Sequence, residues 1–523
     1  MNAWHQSVEL LNTCLKAGVT EFVVCAGARN AAILEALARA EQAGLVRVWR
    51  HFEERSAGFF ALGRTMETAS PCAVVTTSGT AAAELLPAMI EAKYQGRPLI
   101  AITADRPAEF RGTGAPQAIE QPGLFGDYAF QGGFDGWSGR EPLHLNPELE
   151  EGFELDDTNF AQTTAGEFKP ERVRIDVAEL ARWLKKDLFR GMVVMIGGLE
   201  PEEREEVFYF CKSLQAPVVA EATSGLREGL ADLALRDADR VLKRNPPGKV
   251  LRIGDVPSGR FWRDLEDLPD VSVWSVSRNA YPGLARECRL TVGPLNRVML
   301  ALGDIEPAED AMDYLEGGSR DAAKIDELLE SYPDSEPGLL RTLSHYASIG
   351  NGLFLGNSMP IREWNLFAQW DRPVPIVRAN RGANGIDGQV STWLGWSADV
   401  AGSWAVVGDL TALYDLAAPF LLEQVEGEGR VLVVINNGGG KIFERLPRLQ
   451  SMSPKAVEWM TNPQAADLSG FAKLWGMDHL QIRTVDDFDR YEEPARTLLM
   501  EIVPDATQTE RFWKEWDRFA GVV

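Results

Sequence analysis

Basic residues are in short supply in this chain: 53 Lys and Arg stand against 77 Asp and Glu, a formal net charge of −24. Nucleic acids and anionic membrane surfaces recruit proteins through clustered Lys and Arg, so this balance excludes both as partners. Any anionic ligand must be met by individually placed arginines. Cysteine is also scarce: Cys14, Cys25, Cys72, Cys211 and Cys288 are odd in number, dispersed and never in CxxC spacing. Neither a disulfide framework nor a cysteine zinc site follows, and a reducing compartment is expected. No apolar run is long enough to span a bilayer, and MNAWHQSVELLNTCL reads as the start of an amphipathic helix without a basic segment and apolar signal core. Short tandem repeats and low-complexity tracts are missing too. These absences predict a soluble, cytoplasmic protein.

What is present is 523 residues, enough for about three domains with separate cores. The first third alternates helix-like and strand-like segments: SVELLNTCLKAG, EFVVCAG, AAILEALARAEQAG, CAVVTT, AAAELLPAMIEAKYQG and PLIAITAD. Such alternation implies a parallel sheet covered by helices, an α/β architecture. Residues 145–172 are polar and acidic and read as a boundary or surface excursion. A second α/β unit begins near Gly191 with VVMIGG and continues through EEREEVFYFCKSLQ, PVVAEA, KVLRIGD and VSVWSVS. The GG of VVMIGG reads as a strand-to-helix turn rather than a nucleotide loop. From about Ala322 a helical stretch leads into a third unit. The domain boundaries expected are 1–180, 181–325 and 326–523.

The third unit holds VVGDLTALYDL at 406–416 and VVINNGGGKIF at 433–443. Asp409 and Asn437 each follow an apolar run that reads as a buried strand, so both emerge at one carboxyl edge of a parallel sheet, where open α/β sheets bind ligands. A carboxylate, a carboxamide and the backbone carbonyl of Gly439 suit a hard cation such as Mg²⁺ shared with phosphates. Two ordinary strand ends with turn residues are the plainer alternative.

A GD step and an NN step at this spacing resemble the signature of thiamine-diphosphate enzymes. That chemistry needs a buried acid to share a proton with the aminopyrimidine ring. In HFEERSAGFFALG, Glu54 opens an apolar helical stretch where burial would raise its pKa, with Glu53 as a nearby decoy. Both are equally consistent with solvated first-turn carboxylates. In TTSGTAAAELLPAMIEA, Ser78, Gly79 and Thr80 place small polar groups at another helix start, where capping would also suit Ser78 and Thr80.

HFEERSAGFFALG, TTSGTAAAELLPAMIEA, TADRPAEFRGTGAPQAIEQPGLFG, GNSMPIR, NRGANGIDGQVST, GDLTALYDL and NNGGGKIFERLP occur in this order. Together they resemble the 2-succinyl-5-enolpyruvyl-6-hydroxy-3-cyclohexene-1-carboxylate synthase family of menaquinone biosynthesis, strongly in the first and third units and weakly in the middle one. The resemblance implies the thiamine-diphosphate-binding fold, with pyrimidine-binding, middle and diphosphate-binding domains. It implies thiamine diphosphate and Mg²⁺ or Mn²⁺ as cofactors, with Asp409, Asn437 and Gly439 on the metal. Glu54 would activate the cofactor, which Ser78, Gly79, Thr80, Ile386, Gly408, Leu410 and Ile442 would help bind, Ile386 as the apolar prop that bends it. Ligand carboxylates would meet Arg29, Arg106, Gln117, Arg260, Ser358, Arg362 and Arg381, with Phe443 and Leu446 shaping the pocket. Guanidinium forks match the expected dianions, 2-oxoglutarate as donor and isochorismate as acceptor. The implied reaction is decarboxylation of 2-oxoglutarate and conjugate addition to isochorismate. The histidines His5, His51, His144, His345 and His479 include no HH pair of the kind many thiamine decarboxylases use, so proton transfer would lean on the aminopyrimidine. A homodimer or homotetramer with sites between subunits is implied as well.

Three departures from the family pattern fall on the acceptor side: Ala28 where a serine is usual, Pro116 for asparagine, and Phe261 where Ser258, Gly259 and Arg260 should lead into a basic pair. The donor residues Ser358, Arg362 and Arg381 are intact. A related carboligase with another acceptor, or a non-catalytic cofactor-binding homologue, are the alternative readings. Residues 124–146 are shorter than in the family by about one helix, which would open a face of the first sheet unless FQGGFDGWSG fills it.

Overall fold

The computed structural model describes residues 2–519 apart from 157–164, 172, 186–190, 304, 309–311, 426, 447, 448 and 450. Among the described residues the strands form three parallel sheets. The first joins β1 (Glu21–Val24), β2 (Arg47–Arg50), β3 (Cys72–Thr76), β4 (Leu99–Thr103), β5 (Phe130–Gln131) and β6 (Leu143–Leu145) in the order β2-β1-β3-β4-β6-β5. The second joins β7 (Met192–Ile196), β8 (Val218–Ala220), β9 (Lys249–Ile253), β10 (Ser272–Ser277) and β11 (Arg289–Val292) in the order β11-β10-β9-β7-β8. The third joins β12 (Gly352–Leu355), β13 (Val377–Arg378), β14 (Ser403–Gly408), β15 (Val431–Ile435), β16 (Asp478–Ile482) and β17 (Leu498–Ile502) in the order β13-β12-β14-β15-β17-β16.

Counted from its own first strand, the third sheet repeats the order of the first, and the second differs only in lacking the last strand. In each, the order reverses between the first and third strands. That reversal sends the following helices to opposite faces and opens a crevice at the carboxyl edge. Burial on both faces explains the continuous apolar runs: β3, β4, β7, β15 and β17 are buried along their whole lengths. The middle sheet shows how one run feeds two cores, since Val194 and Ile196 join one apolar cluster while Val193 and Met195 join another.

The sheets fall one each within 1–180, 181–325 and 326–523, yet packing divides the chain into two compact units. Met1–Arg172 forms one with Gly382–Val400 and Thr411–Gly427; Val173–Arg381 forms the other with Ala401–Leu410 and Glu428–Val523. Within the first unit, the helix Gln389–Trp396 packs on the helix Glu54–Thr68 through small residues. A Cβ on Gly63 would lie 2.2 Å from the Thr392 carbonyl, and one on Gly395 would lie 2.0 Å from that of Phe60. Only glycine allows so close an approach.

Two further expectations meet the structure here. The segment after β5 turns back on the first core, with Phe134 and Trp137 packed against it and the Trp137 indole N–H donating to the Glu141 carbonyl at 2.8 Å. The aromatic segment FQGGFDGWSG thus packs on the first core, as expected for the face that the shortened stretch leaves. The helical stretch placed from Ala322 begins earlier, in the helix Met312–Ser331. The five cysteines are free thiols, and no helix among the described residues is long and apolar enough to cross a membrane.

Candidate active site

Asp409 is the residue after β14, and Asn437 lies two residues after β15, the neighbouring strand. Asp409 is buried, and the chain around it converges N–H groups on its carboxylate. One oxygen accepts from Gly438 at 3.0 Å, Gly439 at 2.8 Å and the Gln464 amide at 2.8 Å, and the other accepts from Leu410 at 2.6 Å. Burial still raises its pKa, with those bonds opposing. A negative charge only partly compensated by these donors is therefore held in a place that favours a cation.

The Asn437 amide nitrogen donates to both oxygens of Glu336, at 3.1 and 3.0 Å. Its Oδ1 is left buried with no hydrogen-bond partner. Gly439 has φ 137, and a Cβ there would lie 2.5 Å from the Thr461 carbonyl oxygen. A Cβ on Gly408 would meet nothing within 4 Å, so open space adjoins the end of β14. The donor set of Asp409, the orphaned Asn437 Oδ1 and the Gly439 carbonyl fits a hard cation. Among the described residues there is no cluster of three or more His, Cys, Asp or Glu to offer instead.

Ser358 and Arg381 leave the same edge, after β12 and β13. Ser358 caps the helix Met359–Phe367 from φ 72, ψ −126, a conformation that a non-glycine residue holds only where its surroundings enforce it. Arg362 donates to the Ser358 carbonyl. Arg381 donates to Asn357 Oδ1 at 3.1 Å and the Val256 carbonyl at 3.4 Å, while its Nε is buried without a partner. Burial first, then the like charges of Arg381 and Arg263, lower the Arg362 pKa to about 10. Glu221 opposes these cations, but it is itself buried, bound to Ser258 and raised in pKa by burial. Phe443 and Leu446 line a cavity of ≈ 230 Å³ with Leu449, Met452, Val457 and Met460. Ile442 sits in the same short helical turn, Lys441–Arg445.

Arg260 is not drawn into this cluster. Its side chain is 56% exposed and pairs with Asp264 at 3.6 Å, and Phe261 is fully buried in the core of the middle sheet. Arg263, three residues on, is the side chain of that helix whose charge reaches Arg362.

In the first unit, Arg29, Glu54, Ser78–Thr80 and Arg106 follow β1, β2, β3 and β4 respectively and so share the carboxyl edge of that sheet. Glu53 and Glu54 separate clearly. Glu53 is the N-cap of the helix Glu54–Thr68, accepting from Arg55 at 3.1 Å and Ser56 at 3.0 Å. Glu54 is half-buried; burial raises its pKa, its own backbone N–H opposes, and Glu53 and Glu84 add to the rise. Gly79, at φ 86, donates to buried Gln121 at 3.1 Å, and a Cβ there would meet the Gln117 backbone at 3.1 Å. Arg29 is buried with its guanidinium on the Leu149 carbonyl at 2.9 Å and Glu151 at 3.2 Å. Arg106 lies over the Phe110 ring. Ile386 is half-buried after the turn Gly382–Asn384, which Glu91 holds. Glu91, Gln121, Glu221, Arg263, Glu336 and Glu363 support these sites without any local motif to mark them.

Comparison with known proteins bears on the family. Residues 6–124 match the family described as thiamine pyrophosphate enzyme, N-terminal TPP binding domain. The 2-succinyl-5-enolpyruvyl-6-hydroxy-3-cyclohexene-1-carboxylate synthase of Akkermansia muciniphila is 48% identical over 517 residues, 96% of each chain. The synthases of Bdellovibrio bacteriovorus and Chloroflexus aurantiacus are 38% and 33% identical, covering 99% and 94% of this chain and 99% and 90% of their own. With that likeness running end to end, this chain belongs to the 2-succinyl-5-enolpyruvyl-6-hydroxy-3-cyclohexene-1-carboxylate synthase family of thiamine-diphosphate enzymes.

Proposed function

We propose that the protein decarboxylates 2-oxoglutarate and adds the remaining succinyl unit to isochorismate, forming 2-succinyl-5-enolpyruvyl-6-hydroxy-3-cyclohexene-1-carboxylate for menaquinone biosynthesis. The observation that carries this reading is the pairing of Arg362 with Arg381 at the same sheet edge as the Asp409 cradle. Two guanidinium groups whose charges repel each other, one with a buried unpartnered Nε, favour a carboxylate ligand beside a metal-phosphate site.

Thiamine diphosphate supplies the nucleophilic carbon and the electron sink when bound. The chain's own residues hold and orient. Asp409, Asn437 Oδ1 and the Gly439 carbonyl would hold Mg²⁺ or Mn²⁺, and Gly408, Leu410 and Ile442 would help bind the cofactor. Ser78, Gly79, Thr80 and Ile386 would serve its pyrimidine side, and Glu54 would supply the half-buried carboxyl that ring requires as a proton partner. Ser358, Arg362 and Arg381 bind the donor carboxylates; Arg29, Arg106, Gln117 and Arg260 serve the acceptor. Phe443 and Leu446 wall the pocket and exclude water. The domains 1–180, 181–325 and 326–523 take the pyrimidine-binding, middle and diphosphate-binding roles. The protein works in the cytoplasm as a homodimer or homotetramer. Phe52, Tyr414, Leu416 and Phe420, 59, 50, 44 and 37% exposed, support assembly, since large apolar side chains in one unit favour a covering partner.

The test is CO₂ release from 2-oxoglutarate with thiamine diphosphate and Mg²⁺, with and without isochorismate, following the adduct by mass spectrometry. Adduct formation is expected. Release without adduct would overturn the acceptor, and no release would overturn the reaction.

A further inference from the structure

A primary carboxamide has nearly the same shape either way round, yet only one orientation presents oxygen to a cation. Asn437 needs something to choose between them, and the strand that delivers it does not. The choice is made 101 residues away in sequence, by Glu336 at the start of the helix Glu336–Ala347. Glu336 is 3% exposed, and both of its oxygens accept from Asn437 Nδ2. A carboxylate is acceptor-only, so turning the amide over would set Oδ1 against two oxygens and aim Nδ2 at the cation.

Glu336 is itself held in place. Its backbone N–H donates to Thr509 Oγ1 at 3.0 Å, and the preceding Ser335 caps the helix through Gly338 at 3.1 Å. Behind it stands Glu363, fully buried in the helix Met359–Phe367, whose oxygens reach no donor of the chain. Its neighbour is the Glu336 carboxyl, and burial raises the Glu363 pKa well above the usual carboxyl range.

We propose that Glu336 is the positioning residue that fixes the carboxamide of Asn437 with its oxygen toward the metal. This rests on the reading of Asp409 and Asn437 as the cation cradle. Glu336 touches neither cation nor substrate; it acts through the amide, as partners of metal ligands commonly do.

The test measures Mn²⁺ binding to the full-length protein with thiamine diphosphate, by loss of the free-ion electron paramagnetic resonance signal, with Mg²⁺ as competitor. Glu336→Gln keeps size but adds a donor, so both orientations of Asn437 become acceptable. Mn²⁺ affinity should fall about twofold from halving the correctly oriented population, and about 10-fold or more in all once the lost negative charge on the amide's partner makes the Asn437 oxygen a poorer ligand. The reversed pair, Glu336→Gln with Asn437→Asp, should restore binding, because a carboxylate ligand has no wrong way round and the new amide can donate to it. A packing role for Glu336 predicts instead that Glu336→Gln lowers Mn²⁺ affinity as much in the Asn437→Asp background as in the parent. Unchanged affinity in Glu336→Gln, with Asn437→Ala binding weakly, would overturn the proposal and leave the cradle standing. Unchanged affinity in Asn437→Ala would overturn the cradle and the proposal together. Should Glu336→Gln fail to fold, the reversed pair decides alone: folded and unable to bind Mn²⁺, it overturns the proposal.

Discussion

Glu91 closes its carboxylate on the turn that begins at Gly382, one oxygen accepting the Gly382 N–H at 2.6 Å and the other those of Ala383 at 2.7 Å and Asn384 at 3.3 Å. The side chain is buried, and burial raises its pKa against the pull of these bonds. Arg381 immediately precedes the turn and Ile386 follows it, so Glu91 sets the path of a segment carrying two candidate site residues. Glu91→Ala strands three N–H groups, and the expected loss is about 3 kcal/mol of stability, read as a lower urea midpoint. The KM for 2-oxoglutarate should rise about tenfold, in line with about 1.4 kcal/mol of lost Arg381 placement. An unchanged midpoint would mean the turn is held by other contacts.

Glu54 and Glu53 are adjacent in sequence but divided by the helix start, with Glu53 spent on capping Arg55 and Ser56. Glu54→Gln is expected to retain thiamine-diphosphate binding while turnover falls by about 10² to 10⁴, the usual contribution of a positioned acid-base group. Glu53→Ala is expected to do the reverse, costing about 1 kcal/mol of helix stability with turnover little changed. Equal losses of turnover in the two variants would contradict the assignment.

The sequence made Asp409 and Asn437 legible because each sits at the end of an apolar run with turn chemistry behind it, and the structure places both at one sheet edge. Ser358 and Arg381 were readable through the family resemblance, Arg381 also by its place after the strand-like run VPIVRA. Glu336 was not, because its partner lies far along the chain and Ser-Glu-Pro marks only a helix start. Glu91 sits in an alanine-rich helix where a carboxylate reads as solvated. Strand β2 escaped notice because Arg47, Val48, Trp49 and Arg50 bury only Trp49, leaving an edge strand with almost no apolar signal. Phe261 could be seen as a departure from a pattern, but its burial, and the turn of that helix which brings Arg263 toward Arg362, are tertiary facts. The division into two packed units was equally hidden, since the helix Gln389–Trp396 joins the first unit through glycine contacts with the helix Glu54–Thr68.

His144 gives the acid response a specific source. Its ring, 2% exposed, bridges Thr103 Oγ1 at 2.7 Å and Gln131 Oε1 at 3.2 Å, and burial lowers its pKa from 6.5 to about 4, with Asp105 opposing. Between these values the unfolded chain binds the proton and the folded chain does not. The neutral imidazole's contribution is therefore complete above about pH 6.5 and lost as pH falls toward 4, a change of about 3 kcal/mol. Carboxyls with raised pKa values, such as Glu91, slope the other way, so the difference between variants is the quantity to measure. His144→Gln is expected to flatten the fall in urea-derived stability between pH 6.5 and 4 relative to the parent. Parallel curves would show that His144 titrates normally.

Asp409 joins stability to metal. Its carboxylate gathers the N–H groups of Gly438, Gly439, Gln464 and Leu410, yet burial leaves the negative charge only partly compensated. A divalent cation should supply the remainder. Adding Mg²⁺ and thiamine diphosphate is therefore expected to raise Tm, with a linkage stabilisation of about 2.7 kcal/mol when free ligand stands at a hundred times its Kd. Chelation should reverse it. Asp409→Asn discriminates between the two roles of the side chain. Its one oxygen can still accept from Gly438, Gly439 and Gln464, so the metal-free fold should keep most of its stability, losing the Leu410 bond at a cost of about 1 kcal/mol. Its charge is gone, so the Mg²⁺-dependent rise in Tm should vanish. Asp409→Ala removes acceptor and charge together and should lower the metal-free Tm as well as abolish the shift. A rise that survives in Asp409→Asn would place the cation elsewhere, because the amide's one oxygen is held by Gly438, Gly439 and Gln464 and its other side offers only an NH₂ group.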